Sequence, residues 1–114
     1  MICDVFIEIS KDSNIKYEYD KDLGAIRLDR VLKSSMVYPE NYGYIPNTLA
    51  NDGDALDVIL VADYSLVPGS YVRSRIVGVL DMEDEKGIDH KIIAVPDTNV
   101  DSTYEYVNNI DDLP

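Results

Sequence analysis

The chain has 114 residues, 46% hydrophobic and 28% charged, which suits one domain around a single modest core. Its formal charge is −12, with 22 Asp and Glu against 10 Lys and Arg, so it lacks the basic face that a nucleic acid or an anionic membrane requires of a partner. No stretch has the apolar length of a membrane span, no basic and apolar leader opens the chain, and the single cysteine, Cys3, cannot form an internal disulfide; a reducing cytoplasm is the expected location.

In chain order, Val5, Ile7 and Ile9 alternate with Glu8 on the other side, the pattern of a half-buried strand. Cys3 sits at its start and reads as a small core or surface residue. Residues 15–19 repeat the alternation, with Ile15, Tyr17 and Tyr19 inward and Lys16 and Glu18 outward. The Lys21-Asp22-Leu23-Gly24 turn then returns residues 25–28 as a hairpin partner that ends at Asp29-Arg30. Residues 37–46 hold Tyr38, Tyr42, Gly43, Tyr44 and two prolines and predict an ordered irregular loop. The apolar run 58–62 predicts a buried strand, Pro68-Gly69 a turn, and residues 71–80 a long strand. An acidic connection from Asp81 to Asp89 bends at Gly87, and residues 92–95 form a last strand ended by Pro96. The sum is a mainly β domain over residues 1–114, five or six short strands in a closed or partly closed barrel. Ile110-Asp111-Asp112-Leu113-Pro114 has the form of a helix entry, so the expectation is that the C-terminus is incomplete and its helix missing.

Asp52-Gly53-Asp54-Ala55-Leu56-Asp57 gathers three carboxylates in six residues. Asp52 and Asp54 point the same way in an extended segment, and a turn after Asp54 brings Asp57 to that side. Such oxygen ligands suit Mg²⁺, Mn²⁺ or Ca²⁺. The plainer reading is a solvated Asp-Gly turn, and the glycine position excludes an EF-hand loop. Glu8, Glu18, Asp84 and Asp89 add acids; Lys16, Arg30 and Lys91 add bases; Tyr38 and Tyr42 add phenols. Lys16 with Glu18, and Asp89 with Lys91, share a strand face as i,i+2 pairs, and singly each is a surface ion pair of about 0–1 kcal/mol. Tyr17, Tyr19 and Tyr71 read as packing residues, and His90 faces away from its neighbours Asp89 and Lys91. Together, acids for cations and Lys, Arg and Tyr donors for an anion suggest metal-assisted phosphoryl chemistry.

The segments Val5-Phe6-Ile7-Glu8-Ile9, Ile15-Lys16-Tyr17-Glu18, Leu28-Asp29-Arg30 and Tyr38-Pro39-Glu40-Asn41-Tyr42-Gly43-Tyr44-Ile45 are followed by the Asp triplet, Pro68-Gly69, Val77-Gly78-Val79-Leu80, Asp84 to Lys91 and Ala94-Val95-Pro96. In order and spacing this sequence resembles the soluble family I inorganic pyrophosphatases along essentially its whole length. The resemblance implies a five-stranded OB-type barrel that hydrolyses pyrophosphate to two phosphates with several Mg²⁺ ions, for which Mn²⁺ can substitute, through a metal-bridged water. By position, Asp52, Asp57 and Asp89 match ligands of the tighter metal sites and Asp84 a ligand of a substrate-borne metal. Asp54 matches the residue that takes the proton of the attacking water. Glu18 matches a further metal-associated acid and Glu8 one a step removed from the metal. Lys16, Arg30, Tyr42 and Lys91 match phosphate-holding groups, with Tyr38 close by.

The resemblance also implies a homo-oligomer, a hexamer if bacterial and full length, acting on pyrophosphate and phosphate. Charge agrees: a polyanion approaches an acidic cleft only when cations reverse the field, and the acids are expected at the barrel mouth. Two departures stand out. Ala55 replaces the proline usual after the second Asp, and the family's following helix, which supplies a Tyr-Lys pair, is absent. The alternative is therefore a catalytically impaired metal- or phosphate-binding barrel.

Overall fold

In strand β1 (Ile2–Ile9), Val5, Ile7 and Ile9 are buried, while Phe6 and Glu8 occupy the opposite face. That alternation sets the architecture: one face of each barrel strand fills the interior and the other is free to build a site. A computed structural model describes residues 1–33, 35–48, 53–85 and 87–114, and only the backbone of Asp84. The expected Asp52 therefore lies outside the described residues, as does the Asp84 side chain.

Among the described residues the remaining strands are β2 (Ile15–Asp20), β3 (Ala25–Val31), β4 (Asn41–Ile45), β5 (Leu56–Leu60), β6 (Tyr71–Asp84) and β7 (Gly87–Pro96). Five of them close a barrel in the order β1-β4-β5-β7-β6, and β6 returns to pair with β1. β5 and β7 run parallel and the other neighbours antiparallel, a Greek-key ring in keeping with the barrel expected from the resemblance. β2 and β3 form a separate two-stranded ribbon. The barrel interior is filled by Val5, Ile7, Ile45, Val58, Leu60, Val72 and Ala94, each of the Val, Ile and Leu side chains contributing about 1.5–3 kcal/mol by its burial. A second cluster, Val77, Ile93, Val95, Tyr104 and Val107, lies where the segment after β7 folds back, and Arg75 secures it by donating to the carbonyls of Val107 and Tyr104. No described helix is long and apolar enough to cross a membrane.

Four local expectations are corrected. Residues 37–46 are not wholly irregular: Asn41–Ile45 is a barrel strand, with Asn41, Gly43 and Ile45 inside and Tyr42 and Tyr44 outside. The inward positions hid the alternation because two are not apolar. Buried Asn41 accepts from the backbone N–H groups of Lys11 and Leu66 and donates to the Tyr64 carbonyl. A Cβ on Gly43 would collide with the Phe6 carbonyl on β1. Secondly, the acidic run 81–89 is not a loose connection, because β6 continues to Asp84 and pairs with β7 from Asp84↔Gly87 to Asp81↔His90. This end of the hairpin projects past the core, so both faces can be polar. Thirdly, β3 runs on through Asp29 and Arg30 to Val31, and a bulge opposite Lys16 and Tyr17 breaks the ribbon's alternation, so that Lys16, Tyr17 and Glu18 all border one groove. Finally, residues 110–112 form a short 3-10 turn with Asn109 as its cap and Asp112 completing a capping box, where no helical turn was expected to form.

Candidate functional site

The outer faces of β1, β4 and β5 meet beneath the ribbon. Register sets Tyr44 opposite Asp57 and Tyr42 opposite Ile59, so phenols and a carboxylate share the outer side of the wall. Phe6 anchors the floor, with ring centroids of Tyr19, Tyr44 and Tyr71 at 5.6, 5.2 and 5.3 Å. Two adjoining cavities of about 500 and 320 Å³ follow, both bordered by Glu8, Glu18 and Asp57. The larger adds Asp54 and Tyr44; the smaller adds Lys16, Tyr38, Tyr42 and Lys91. The groove thus lies on the outside of the barrel wall rather than at its mouth, a correction that follows from strand alternation: the acids alternate with core residues.

The loop that presents Asp54 and Asp57 is stapled at its ends. The Thr48 hydroxyl donates to the Ile45 carbonyl at 2.6 Å and accepts from the Leu56 N–H at 3.0 Å. Gly53 has φ +86°, which only glycine adopts without strain, and this bends the backbone just before Asp54. On β7, Lys91 Nζ lies 2.8 Å from both Asp57 Oδ2 and Asp89 Oδ2. Burial opposes the charge of Lys91, but the two carboxylates outweigh it and the ammonium pKa is raised. Glu8 is pushed up chiefly by burial, with the Tyr19 N–H opposing and Glu18 and Asp57 adding to the rise. Burial raises Tyr42 and lifts Tyr44 to about 12, so both phenols are proton donors at neutral pH. Lys16 Nζ stands 4.0 Å from Glu18 and 3.5 Å from Asp29.

The structure brings Glu8, Lys16, Glu18, Tyr38, Tyr42, Asp54, Asp57 and Lys91 to one groove and joins Asp89 to it through Lys91. It does not bring Arg30 there. That guanidinium is 65% exposed and donates to Asp29 at 2.8 Å, which holds the Asp29 carboxyl below the usual range. Tyr38 stacks edge-on against Tyr42 at 4.9 Å. Tyr44, Tyr19, Lys21, Asn47 and Thr48 also line the larger cavity, and none was singled out from sequence as a site residue. The signal for Tyr44 was its i,i+2 relation to Tyr42, visible once 41–45 is a strand. His90 faces away, as expected, and pairs with Asp81 at 2.6 Å.

Among the described residues no set of three His, Cys, Asp or Glu side chains stands close enough to hold a metal ion. The donor chemistry nevertheless fits a hard cation, for Asp57 and Asp89 already converge on one positive charge, the Lys91 ammonium, and every acid at the groove offers carboxylate oxygen.

A family model described as inorganic pyrophosphatase matches residues 5–114. The inorganic pyrophosphatase of Helicobacter pylori strain 26695 is 55% identical over 109 residues, covering 96% of this chain and 63% of that protein. That of Saccharolobus solfataricus is 53% identical over 110 residues and is covered to 64%. Among solved structures, a Helicobacter pylori inorganic pyrophosphatase superposes with TM-score 0.92 at 54% identity, covering 97% of this chain and 65% of that one. The Thermus thermophilus inorganic pyrophosphatase gives 0.92 at 49% identity, covering 99% and 64%. The chain thus spans a little under two thirds of the length of these relatives.

Proposed function

We propose, because this chain belongs to the inorganic pyrophosphatase family, that it hydrolyses pyrophosphate to two phosphates in the groove beneath the ribbon. The observation that carries this reading is the Asp57–Lys91–Asp89 clamp, an acidic pair and a basic group on one wall of a groove whose other wall carries Lys16 and Glu18.

Asp52, Asp54, Asp57 and Asp89, with Asp84 and Glu18, are the residues that would hold divalent cations, Mg²⁺ first and Mn²⁺ as substitute. Bound there, such a cation would offset the substrate's charge, polarise its phosphorus and lower the pKa of water. The chain's own groups do the rest. Lys16 and Lys91 bind phosphate oxygens, and the Tyr42 phenol donates a hydrogen bond beside them. Arg30 joins them only by giving up Asp29. Water attacks one phosphorus, the bridging P–O bond breaks, and the leaving phosphate departs with that oxygen. The Asp54 carboxylate takes the proton of the attacking water, and no covalent intermediate with the protein is required.

The same reading makes the described barrel a single catalytic unit in a cytoplasmic homo-oligomer. Exposed Val79, Leu80, Met82 and Ile88 near the tip of the β6–β7 hairpin supply apolar surface for assembly. The test is phosphate release from pyrophosphate with Mg²⁺ and with a chelator. Asp54→Asn and Asp57→Asn are each expected to lower kcat by about 10²–10⁴-fold, the range for losing a positioned acid or base. Turnover that survives the chelator, or both substitutions, overturns the proposal.

A further inference from the structure

The ribbon carries Lys16 and Glu18 to the groove, yet it belongs to no barrel ladder. Its base is tied down by main-chain bonds from Asp12 N–H to Tyr38 O at 2.7 Å and from Tyr38 N–H to Ser13 O at 2.9 Å, and there Leu32 N–H to Asn14 O, 2.7 Å, joins its two strands. Beyond the base, the one hydrogen bond from ribbon to barrel among the described residues runs from the Tyr19 N–H to Glu8 Oε2, at 2.9 Å. The Tyr19 ring, edge-on to Phe6, closes the same junction.

We propose that Glu8 is a positioning residue: its carboxylate stands where a neighbouring strand's carbonyl would stand, and pins β2 so that Lys16 and Glu18 face Asp57 and Lys91 across the groove. Only the effect on catalysis rests on the pyrophosphatase reading. The placement itself argues for the role. Glu8 sits at the irregularity in the β1–β4 register, between Ile7 and Ile9, whose buried side chains fix the direction in which its carboxylate points. Burial and the nearby Glu18 and Asp57 all oppose an ion there, and the Tyr19 N–H first and the Lys16 charge second work against them. Tyr19 is one residue from Glu18 and three from Lys16, so loss of this bond frees the stretch of ribbon that presents both.

A pair of substitutions separates tether from charge. Glu8→Gln keeps an oxygen acceptor at the same reach and removes the charge. Glu8→Asp keeps the charge but falls about 1.5 Å short of the Tyr19 N–H. Both leave the barrel interior untouched, since Glu8 lies outside it. Amide exchange of Tyr19 is expected to quicken roughly tenfold in E8D, the factor that one net hydrogen bond supports, and far less in E8Q. KM for pyrophosphate is expected to rise more in E8D than in E8Q. A Tyr19 amide that exchanges at the wild-type rate in E8D, or as fast in E8Q as in E8D, overturns the tether. A KM that follows charge, rising more in E8Q, overturns the positioning role. Exchange needs no turnover, so failure of the tether and failure of the enzymatic reading are seen apart.

Discussion

Each ionisable side chain in this acidic molecule is governed by what stands within a few ångströms of it. Lys91 is held in its charged form by two carboxylates, and Arg30 is drawn to its own neighbour Asp29. The difference was partly legible in sequence. Asp89 and Lys91 share a strand face by spacing alone, but the partner Asp57 comes from another strand, and nothing in Leu28-Asp29-Arg30 says that adjacent side chains will pair. Glu40 shows the cost of a poor partner. Its Oε1 is buried without a hydrogen bond, and Lys11 Nζ stands 3.9 Å away. Burial raises its pKa, Lys11 opposes, and Asp12 and Asp63 add to the rise. The folded state therefore holds this proton more tightly than the unfolded chain does, and stability falls as pH climbs through the folded pKa. Glu40→Gln removes that liability. Its melting temperature is expected to exceed that of the wild type at pH 7, with the gap shrinking as pH falls towards 4.5, the ordinary glutamate value. A gap that is constant across paired thermal melts at pH 7 and 4 would assign the effect to something other than ionisation.

At the level of the strand, close approach explains both the site and what was missed. Residues 58–62 and 92–95 were legible as buried strands because apolar residues run through them, although β5 starts earlier, at Leu56, and ends at Leu60. β4 was not, because Asn41 and Gly43 hold its inward positions, one by hydrogen bonding and the other by having no side chain. Yet β4 carries Tyr42 and Tyr44 into the groove, so the least strand-like sequence supplies one of its walls. Two glycines make the principle testable. A methyl group on Gly43 would meet backbone, the Phe6 carbonyl, whereas on Gly78 it would meet only side-chain atoms of Ile110, a residue 36% exposed. Gly43→Ala is thus expected to cost about 3 kcal/mol or more, and Gly78→Ala no more than about 1 kcal/mol, in denaturant melts of the two variants. Equal costs would mean that the β1–β4 pairing yields as readily as a surface side chain.

Closure of the barrel belongs to the whole molecule and has no local signature. It requires β6 to pair with β1 on one edge and β7 on the other, and β5 to meet β7 across the chain, registers that no short window of residues encodes. The charge of −12, in contrast, was plain from composition, and closure concentrates part of it: Glu8, Glu18, Asp54 and Asp57 border one cavity. Carboxylates gathered this way repel, and the fold carries that repulsion until cations screen or bind. Screening and binding differ in size. Sodium chloride acts on exposed charge within a Debye length of about 10 Å, while an ion held by the groove stabilises by RT ln(1 + [L]/Kd), about 2.7 kcal/mol at a hundredfold excess over Kd. For a chain of this length that is a rise of roughly 10 °C in Tm. MgCl₂ is therefore expected to raise Tm well beyond NaCl at matched ionic strength, and Asp57→Asn to remove most of the excess while leaving the salt response in place. Equal shifts from the two salts in the wild-type protein would show that the acids act only as diffuse charge, and that the groove does not gather its carboxylates around an ion.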